Sequence, residues 1–347
     1  MGNLCRLRHS FKGRNTIMIS RRHVLLTGAA LAAGGVPGQA VAQPAKARKL
    51  RIGYLLPADS QLGAGASAMV EEVASRTGGR IQIQQFPDSA LGGEVEMLKG
   101  VQLGAIDLAF ITGAPLPSIL PEAGIFNIPF LFNNPAHAHA VLDSPIGDSY
   151  RQLLSGKDLV ALAWGENGMR HITNSKRPIT SPDDLKGLKL RLPQSPVMLA
   201  GFRALGADTG PLPFPQLYAA LQAGVFDGQE NPIGTIRSAK LGQVQKFLTL
   251  SGHVYDPAVI VMSSDAHDDL SDEDRAVFQA AARTGARASR AYAAEAEVSG
   301  VAALQQAGMQ VQPSVDRARF TAARASANPD FEKLFGKQRI DEIRNAA

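Results

Sequence analysis

Cysteine is almost missing from this chain of 347 residues, and the only one is Cys5. From residue 43 onward there is none, so neither a disulfide nor a thiolate metal site can form there, and an oxidising compartment poses no chemical problem. A charge excess is missing too. Lys and Arg outnumber Asp and Glu by 36 to 31, but six of the basic residues (Arg6, Arg8, Lys12, Arg14, Arg21, Arg22) and no acidic one fall in residues 1–42. The remainder carries 30 basic against 31 acidic side chains, which leaves no electrostatic footprint for nucleic acid or an anionic membrane surface. No repeat, heptad array or low-complexity tract follows residue 48, so solenoid and coiled-coil architectures are excluded.

Enzyme signatures are equally scarce. There is no Gly-x-Ser-x-Gly elbow, no His-Glu-x-x-His and no Gly-x-x-x-x-Gly-Lys-Ser/Thr loop. The Gly63 to Ala68 run matches a dinucleotide pattern in form. However, the six residues from Pro57 to Leu62 separate it from the preceding strand, so the tight turn that gives the pattern its meaning is absent. His137 and His139, two apart, point to different faces of a helix and make a poor metal pair. No cofactor and no metal is expected, and the chain is not read as an enzyme. An exported enzyme with a dispersed constellation stays as an alternative.

What is present begins with an export leader. Arg21 and Arg22 precede a Gly/Ala-rich apolar run to Val36, shorter than the ~20 residues of a spanning helix, and Ala40-Val41-Ala42 offers a small-x-small cleavage site. Residues 1–42 read as a twin-arginine signal peptide, with Met18 as an alternative start. Some 300 residues then remain, more than one core usually holds, so two α/β domains are expected. Leu50, Ile52, Tyr54 and Leu56 alternate in a strand, a helix follows as far as Gly78-Gly79, and strands over 80–86 and 106–111 flank a helix over 93–104. A second α/β region starts near Gly168. Ser271, followed by Asp272, Glu273 and Asp274, caps a helix running to about Gln306, on the order of 50 Å long and so able to span both domains.

Several side chains stand out on local grounds. In Leu188-Lys189-Leu190-Arg191-Leu192, strand alternation puts the leucines on one face and Arg191 on the other, away from the core. Asn231 precedes Pro232, which favours extended backbone and leaves a carboxamide that both donates and accepts. Glu94 opens a helix after Leu91-Gly92-Gly93, where a carboxylate complements the dipole or accepts from a ligand hydroxyl. Trp164, the only tryptophan, sits near the expected crossing between domains, as a ligand contact or a packed hinge residue.

Residues 185–257 carry, in one run, Leu185-Lys-Gly-Leu-Lys-Leu-Arg191, then Leu217 to Pro232 with its Asp227-Gly-Gln-Glu-Asn-Pro232 string, then Val244-Gln-Lys-Phe-Leu248. With Arg80 to Phe110 and Leu270 to Asp274, these strings resemble the DctP-type solute receptors of TRAP transporters, over nearly everything after residue 48. The resemblance implies a two-domain, type II-like periplasmic-binding-protein fold with a ligand cleft between domains. Domain I would take 48–167 plus 257–296, and domain II 168–256 plus 297–347. It also implies that Arg191 pairs with a ligand carboxylate, that Arg170 assists as a second arginine or serves as a structural ion pair, that Asn231 contacts the ligand, with an Asx turn as its alternative, and that the ring of Phe214 packs on it, with a core phenylalanine as its alternative.

An organic acid would be the ligand: a C4-dicarboxylate or, with Glu94 at the end away from Arg191, a sugar acid such as a uronate or aldonate. TRAP membrane permease subunits would be the partner, the receptor acting as a monomer in the periplasm. A receptor feeding a membrane sensor kinase is the alternative. Departures from the family pattern are Gln216, Leu241-Gly242-Gln243 and Gln61, none of which removes a carboxylate-binding group.

Overall fold

The computed structural model describes residues 47–346, so the twin-arginine segment, its cleavage site and Cys5 lie outside the described residues. Nine strands form one continuous sheet: β1 (Arg48–Tyr54), β2 (Ile81–Phe86), β3 (Leu108–Thr112), β4 (Leu159–Asn174), β5 (Lys189–Leu192), β6 (Asp208–Pro211), β7 (Gly228–Pro232), β8 (Phe247–Ser263) and β9 (Gln310–Gln312). Their order is β2-β1-β3-β8-β4-β7-β5-β6, with β9 on β8. The expected β-α-β-α-β start is present: β1 pairs in parallel with both β2 and β3. Between β1 and β2, Ser60 accepts from Gly63 N to cap the helix Gln61–Arg76, and Gly78 and Gly79, both at positive φ, turn the chain out of it.

Two strands tie the halves together. β4 has 16 residues and β8 has 17, each on the order of 50 Å long. They pair antiparallel along most of their length, with register shifts at Ala161/Ala163, Glu166/Gly168 and Arg170/Ile172. The middle shift includes Gly168 at φ 129°, a conformation that side-chain-bearing residues rarely adopt, so the ladder bends between the halves. One end of the β4–β8 ribbon extends the β2-β1-β3 sheet through β3, and the other end carries β7 on β4.

The core divides accordingly. A first cluster holds Ile52, Phe110, Ile260 and Phe278. A second holds Leu188, Leu190, Leu192 and Phe202, and a third Leu221, Ile233, Leu248 and Leu304. The helix Asp272–Gln306, 35 residues long and capped as expected by Ser271, buries Phe278 in the first cluster and Leu304 in the third, and thus spans both lobes. It crosses the helix Gln61–Arg76 where Gly65 and Gly285 meet, because a Cβ on either residue would come within 2.8 Å of the other's carbonyl oxygen.

The C-terminal segment changes lobes as well. Phe320, on the helix Arg317–Arg324, belongs to the second cluster, whereas Phe331, Ile340 and Ile343, on the helices Asn328–Phe335 and Lys337–Asn345, belong to the first. On the helix Asn328–Phe335, Phe331 is buried while Leu334 is 63% exposed.

Candidate functional site

The parallel strands of both lobes direct their carboxyl ends toward the junction, where α/β sheets form their clefts. Leu55 and Leu56 follow β1, Thr112 ends β3, Arg191 lies near the end of β5 and Asn231 near the end of β7. These residues, with Glu94, Asn167, Arg170, Phe214 and Thr235, line a cavity of about 20 Å³. A second cavity of about 30 Å³ adjoins it, sharing Leu55, Glu94, Arg191, Pro193 and Phe214 and adding Ser89, Gln194 and Leu212. Five of the six residues singled out from the sequence therefore converge on one place.

Arg191 is only 2% exposed, so the face that strand alternation turns away from the core meets the sealed cleft instead of solvent. Its Nε and one Nη donate to the Leu212 carbonyl. A guanidinium has five N–H donors, so the remaining three, including the end-on fork, are free for a ligand. Among the described residues no carboxylate lies at salt-bridge distance from it; Glu230 and Glu94 act only through their fields. Burial pushes its pKa down to about 9. A buried charge lacking a partner is costly, and a planar carboxylate supplies the missing geometry.

Arg170, also 2% exposed, is placed very differently. Its Nε and Nη2 clasp the Glu230 carboxylate at 2.5 and 2.8 Å, Nη2 also reaches the Glu230 carbonyl at 2.7 Å, and Nη1 donates to Asp256 at 2.7 Å. Burial works against its charge, but Glu230 and Asp256 outweigh it and hold the guanidinium above its usual value. The ion pair is therefore present, and a single Nη1 N–H is left for a ligand. Burial raises Asp256, which also accepts from Asn167 and the Gly113 N–H. On Glu230, Arg170 overrides burial and lowers the pKa, and His253 completes the carboxylate's partners at 3.0 Å.

Glu94 faces Arg191 from the other lobe. Its carboxylate accepts from the Thr112 N–H at 2.7 Å and the Thr112 hydroxyl at 2.9 Å, yet burial, with Asp256 adding to it, pushes the pKa up to about 7. Asn231 donates to Gln229 Oε1 and has its carbonyl oxygen available. Phe214 packs against both the first and third core clusters, so its ring sits at the junction of the lobes.

Trp164 lies elsewhere. It is 4% exposed, donates to the Gly147 carbonyl at 2.9 Å and meets Phe126 edge-on in the first core, and it is not among the residues lining the cleft. The packed reading applies to it. Thr112, Asn167 and Thr235 line the cleft without having been singled out. Each is an ordinary polar residue in the sequence, and only the crossing of β4 brings them together.

The family model for bacterial extracellular solute-binding proteins, family 7 (DctP), matches residues 52–338. A solute-binding protein of Verminephrobacter eiseniae is 46% identical over 297 residues, covering 86% of this chain and 89% of its own. The 2,3-diketo-L-gulonate-binding periplasmic protein of Escherichia coli is 36% identical over 277 residues, covering 80% and 84%. A TRAP periplasmic solute-binding protein from a Polaromonas species, solved with D-erythronate, superposes with a TM-score of 0.85 at 45% identity, covering 86% of this chain and 99% of that one. The sugar acid binding protein of Advenella mimigardefordensis, solved with galactonate, gives 0.83 at 34% identity, covering 87% and 98%. Matched over most of its length in sequence and in fold, this chain belongs to family 7 of the bacterial extracellular solute-binding proteins, the DctP receptors of TRAP transporters.

Proposed function

We propose that this chain is an exported periplasmic receptor that closes on a small organic acid and delivers it to TRAP membrane permease subunits. The observation that carries the reading is Arg191, a buried guanidinium with three N–H donors free and no carboxylate at salt-bridge distance among the described residues. The acid's carboxylate takes the Arg191 fork, and Arg170 adds at most one further bond. Asn231 accepts or donates alongside, and the Phe214 ring covers the carbon chain.

Glu94, on the opposite wall, would repel a second carboxylate but accepts from a hydroxyl, so a hydroxylated monoacid suits the site better than a C4-dicarboxylate. The D-erythronate and galactonate held by the Polaromonas and Advenella relatives support this class. Closure follows from the ligand's differential affinity for the joined lobes. Those lobes correspond to 48–167 with 257–296 and to 168–256 with 297–347, the last turns of the chain lodging against the first lobe. The role is capture without chemistry. A monomer exported by the twin-arginine route completes the reading.

A thermal-shift screen of the chain from Gln43 tests it, using aldonates, uronates, C4-dicarboxylates and aromatic acids. An acid at a hundred times its Kd adds about 2.7 kcal/mol, a shift of several degrees. Stabilisation by a hydroxylated monoacid is the expected result. Stabilisation by neutral sugars, peptides or nucleotides, with none from any carboxylate, contradicts the proposal.

A further inference from the structure

The first turn of the helix Gln61–Arg76 reaches across the junction behind the ligand cavity. The Gln61 side chain is fully buried, and its amide nitrogen lies 2.9 Å from the Asn167 carbonyl, 2.8 Å from Asn167 Oδ1 and 2.8 Å from Thr235 Oγ1. Gln61 belongs to the first lobe, Asn167 to the bend of β4, and Thr235 to the helix Ile233–Ser238 of the second lobe. Asn167 and Thr235 both line the cavity, whereas Gln61 does not. With the nitrogen facing three oxygens, the amide orientation is fixed: turned over, its oxygen would face two oxygens of Asn167 that have no hydrogen to give.

The fit is tight on the far side as well. A Cβ added at Gly234 would come within 2.8 Å of Gln61 Oε1. Nearer the surface a second bridge runs parallel: Arg237 of the second lobe donates at 2.7 Å to the Tyr292 hydroxyl, which donates at 3.0 Å to Asp59, two residues before Gln61. Arg237 also lies over the Tyr292 ring. Two polar bridges, the outer one through Tyr292 of the long helix, thus join the segment Asp59 to Gln61 of one lobe to the same short helix of the other.

We infer that Gln61 is the clasp of the closed receptor, a positioning residue that sets ligand affinity without touching the ligand, with Asp59–Tyr292–Arg237 as its outer layer. The inference rests on the receptor reading above. Both bridges span the lobes, so they add to the free energy of the joined form only. They therefore slow ligand release and leave capture by the open form unaffected.

The test uses D-erythronate as the probe and Gln61→Met, which keeps the side chain's length and bulk while removing its donors. Breaking two or three buried hydrogen bonds should weaken binding about tenfold or more, almost all of it in a faster off-rate, with the on-rate within about twofold. Gly234→Ala, which pushes on the same amide from the other lobe, should act in the same direction, and Tyr292→Phe more weakly. Equal affinity and off-rate in Gln61→Met and the parent overturn the clasp. If Arg191→Ala abolishes binding in the same series, the receptor reading survives that result.

A readout that needs no ligand stands beside it. Spin labels on Leu103→Cys and Val225→Cys, exposed by 81% and 58% on the two lobes, report their separation. The clasp requires the parent to hold more of the short separation than Gln61→Met does. Identical distributions refute it even if no acid binds.

Discussion

Replacing Arg191 by methionine should separate binding from stability in a way few substitutions do. Burial pushes its pKa far below the usual guanidinium range, to about 9, which amounts to a penalty of several kcal/mol on the charged form in the sealed cleft, before any relaxation. Removing that charge leaves no acidic partner stranded at salt-bridge distance, because its two hydrogen bonds go to a backbone carbonyl. Ligand-free Arg191→Met is therefore expected to match the parent in denaturant unfolding or exceed it by up to about 4 kcal/mol, as when buried charges give way to apolar side chains. Affinity for an acid should fall by about 2–5 kcal/mol, roughly thirty-fold to several thousand-fold, as for a desolvated charge pair that has lost one member. Urea unfolding without ligand and calorimetric titration with D-erythronate measure the two quantities. A variant 3 kcal/mol or more less stable than the parent, still binding the acid normally, would show that Arg191 is a structural cation and refute the reasoning.

Glu230→Ala should do the reverse. It strips Arg170 of its bidentate partner and leaves a buried guanidinium half-compensated, so unfolding should show a loss of about 3–5 kcal/mol. In the parent, the Glu230 carboxylate is held below its usual pKa, so its contribution is complete above about pH 4.5 and drains away as the pH falls further. Glu94 has the opposite sign. With its pKa raised to about 7 it keeps a proton that the unfolded chain has already released, so ligand-free stability should decline between about pH 4.5 and pH 7. Glu94→Gln should flatten that decline, and an unchanged pH profile would remove Glu94 as its cause. Trp164→Phe should lower the melting temperature by a few degrees through lost packing and the lost bond to Gly147 while leaving affinity within about twofold; a large affinity loss would return Trp164 to the site.

Much of this was legible because local signals and the final packing agree. The alternation of β1, the Gly78-Gly79 stop and the Ser271 cap each act over a few residues, and each appears where the sequence places it. The long strands did not announce themselves. Their full length is not apparent in the sequence: only a short strand near His171 is read for β4, and no strand is assigned over β8 although Val259, Ile260 and Val261 form a β-branched run. Both are buried on their two faces and so lack alternation, while Gly165, Gly168, Gly252 and Pro257 interrupt them like turn residues. The candidate site was legible where its residues sit in marked strings, and not elsewhere. Arg191, Arg170, Asn231, Glu94 and Phe214 sit in recognisable strings, whereas Thr112, Asn167 and Thr235 gain meaning only when the β4–β8 ribbon folds one lobe against the other. Arg170 shows the limit from the other side. The sequence allows a ligand contact or an ion pair, and the choice depends on Glu230 and Asp256, 60 and 86 residues away along the chain.

A crystal structure of the receptor grown with D-erythronate, or with whichever acid shifts the melting curve most, tests the central claim most directly. The account predicts both carboxylate oxygens within 3.2 Å of the free Arg191 fork, a ligand hydroxyl on Glu94, and the Arg170–Glu230 clasp undisturbed. An acid bound in the cleft with its carboxylate on another group, and Arg191 still bonded only to Leu212, would contradict it.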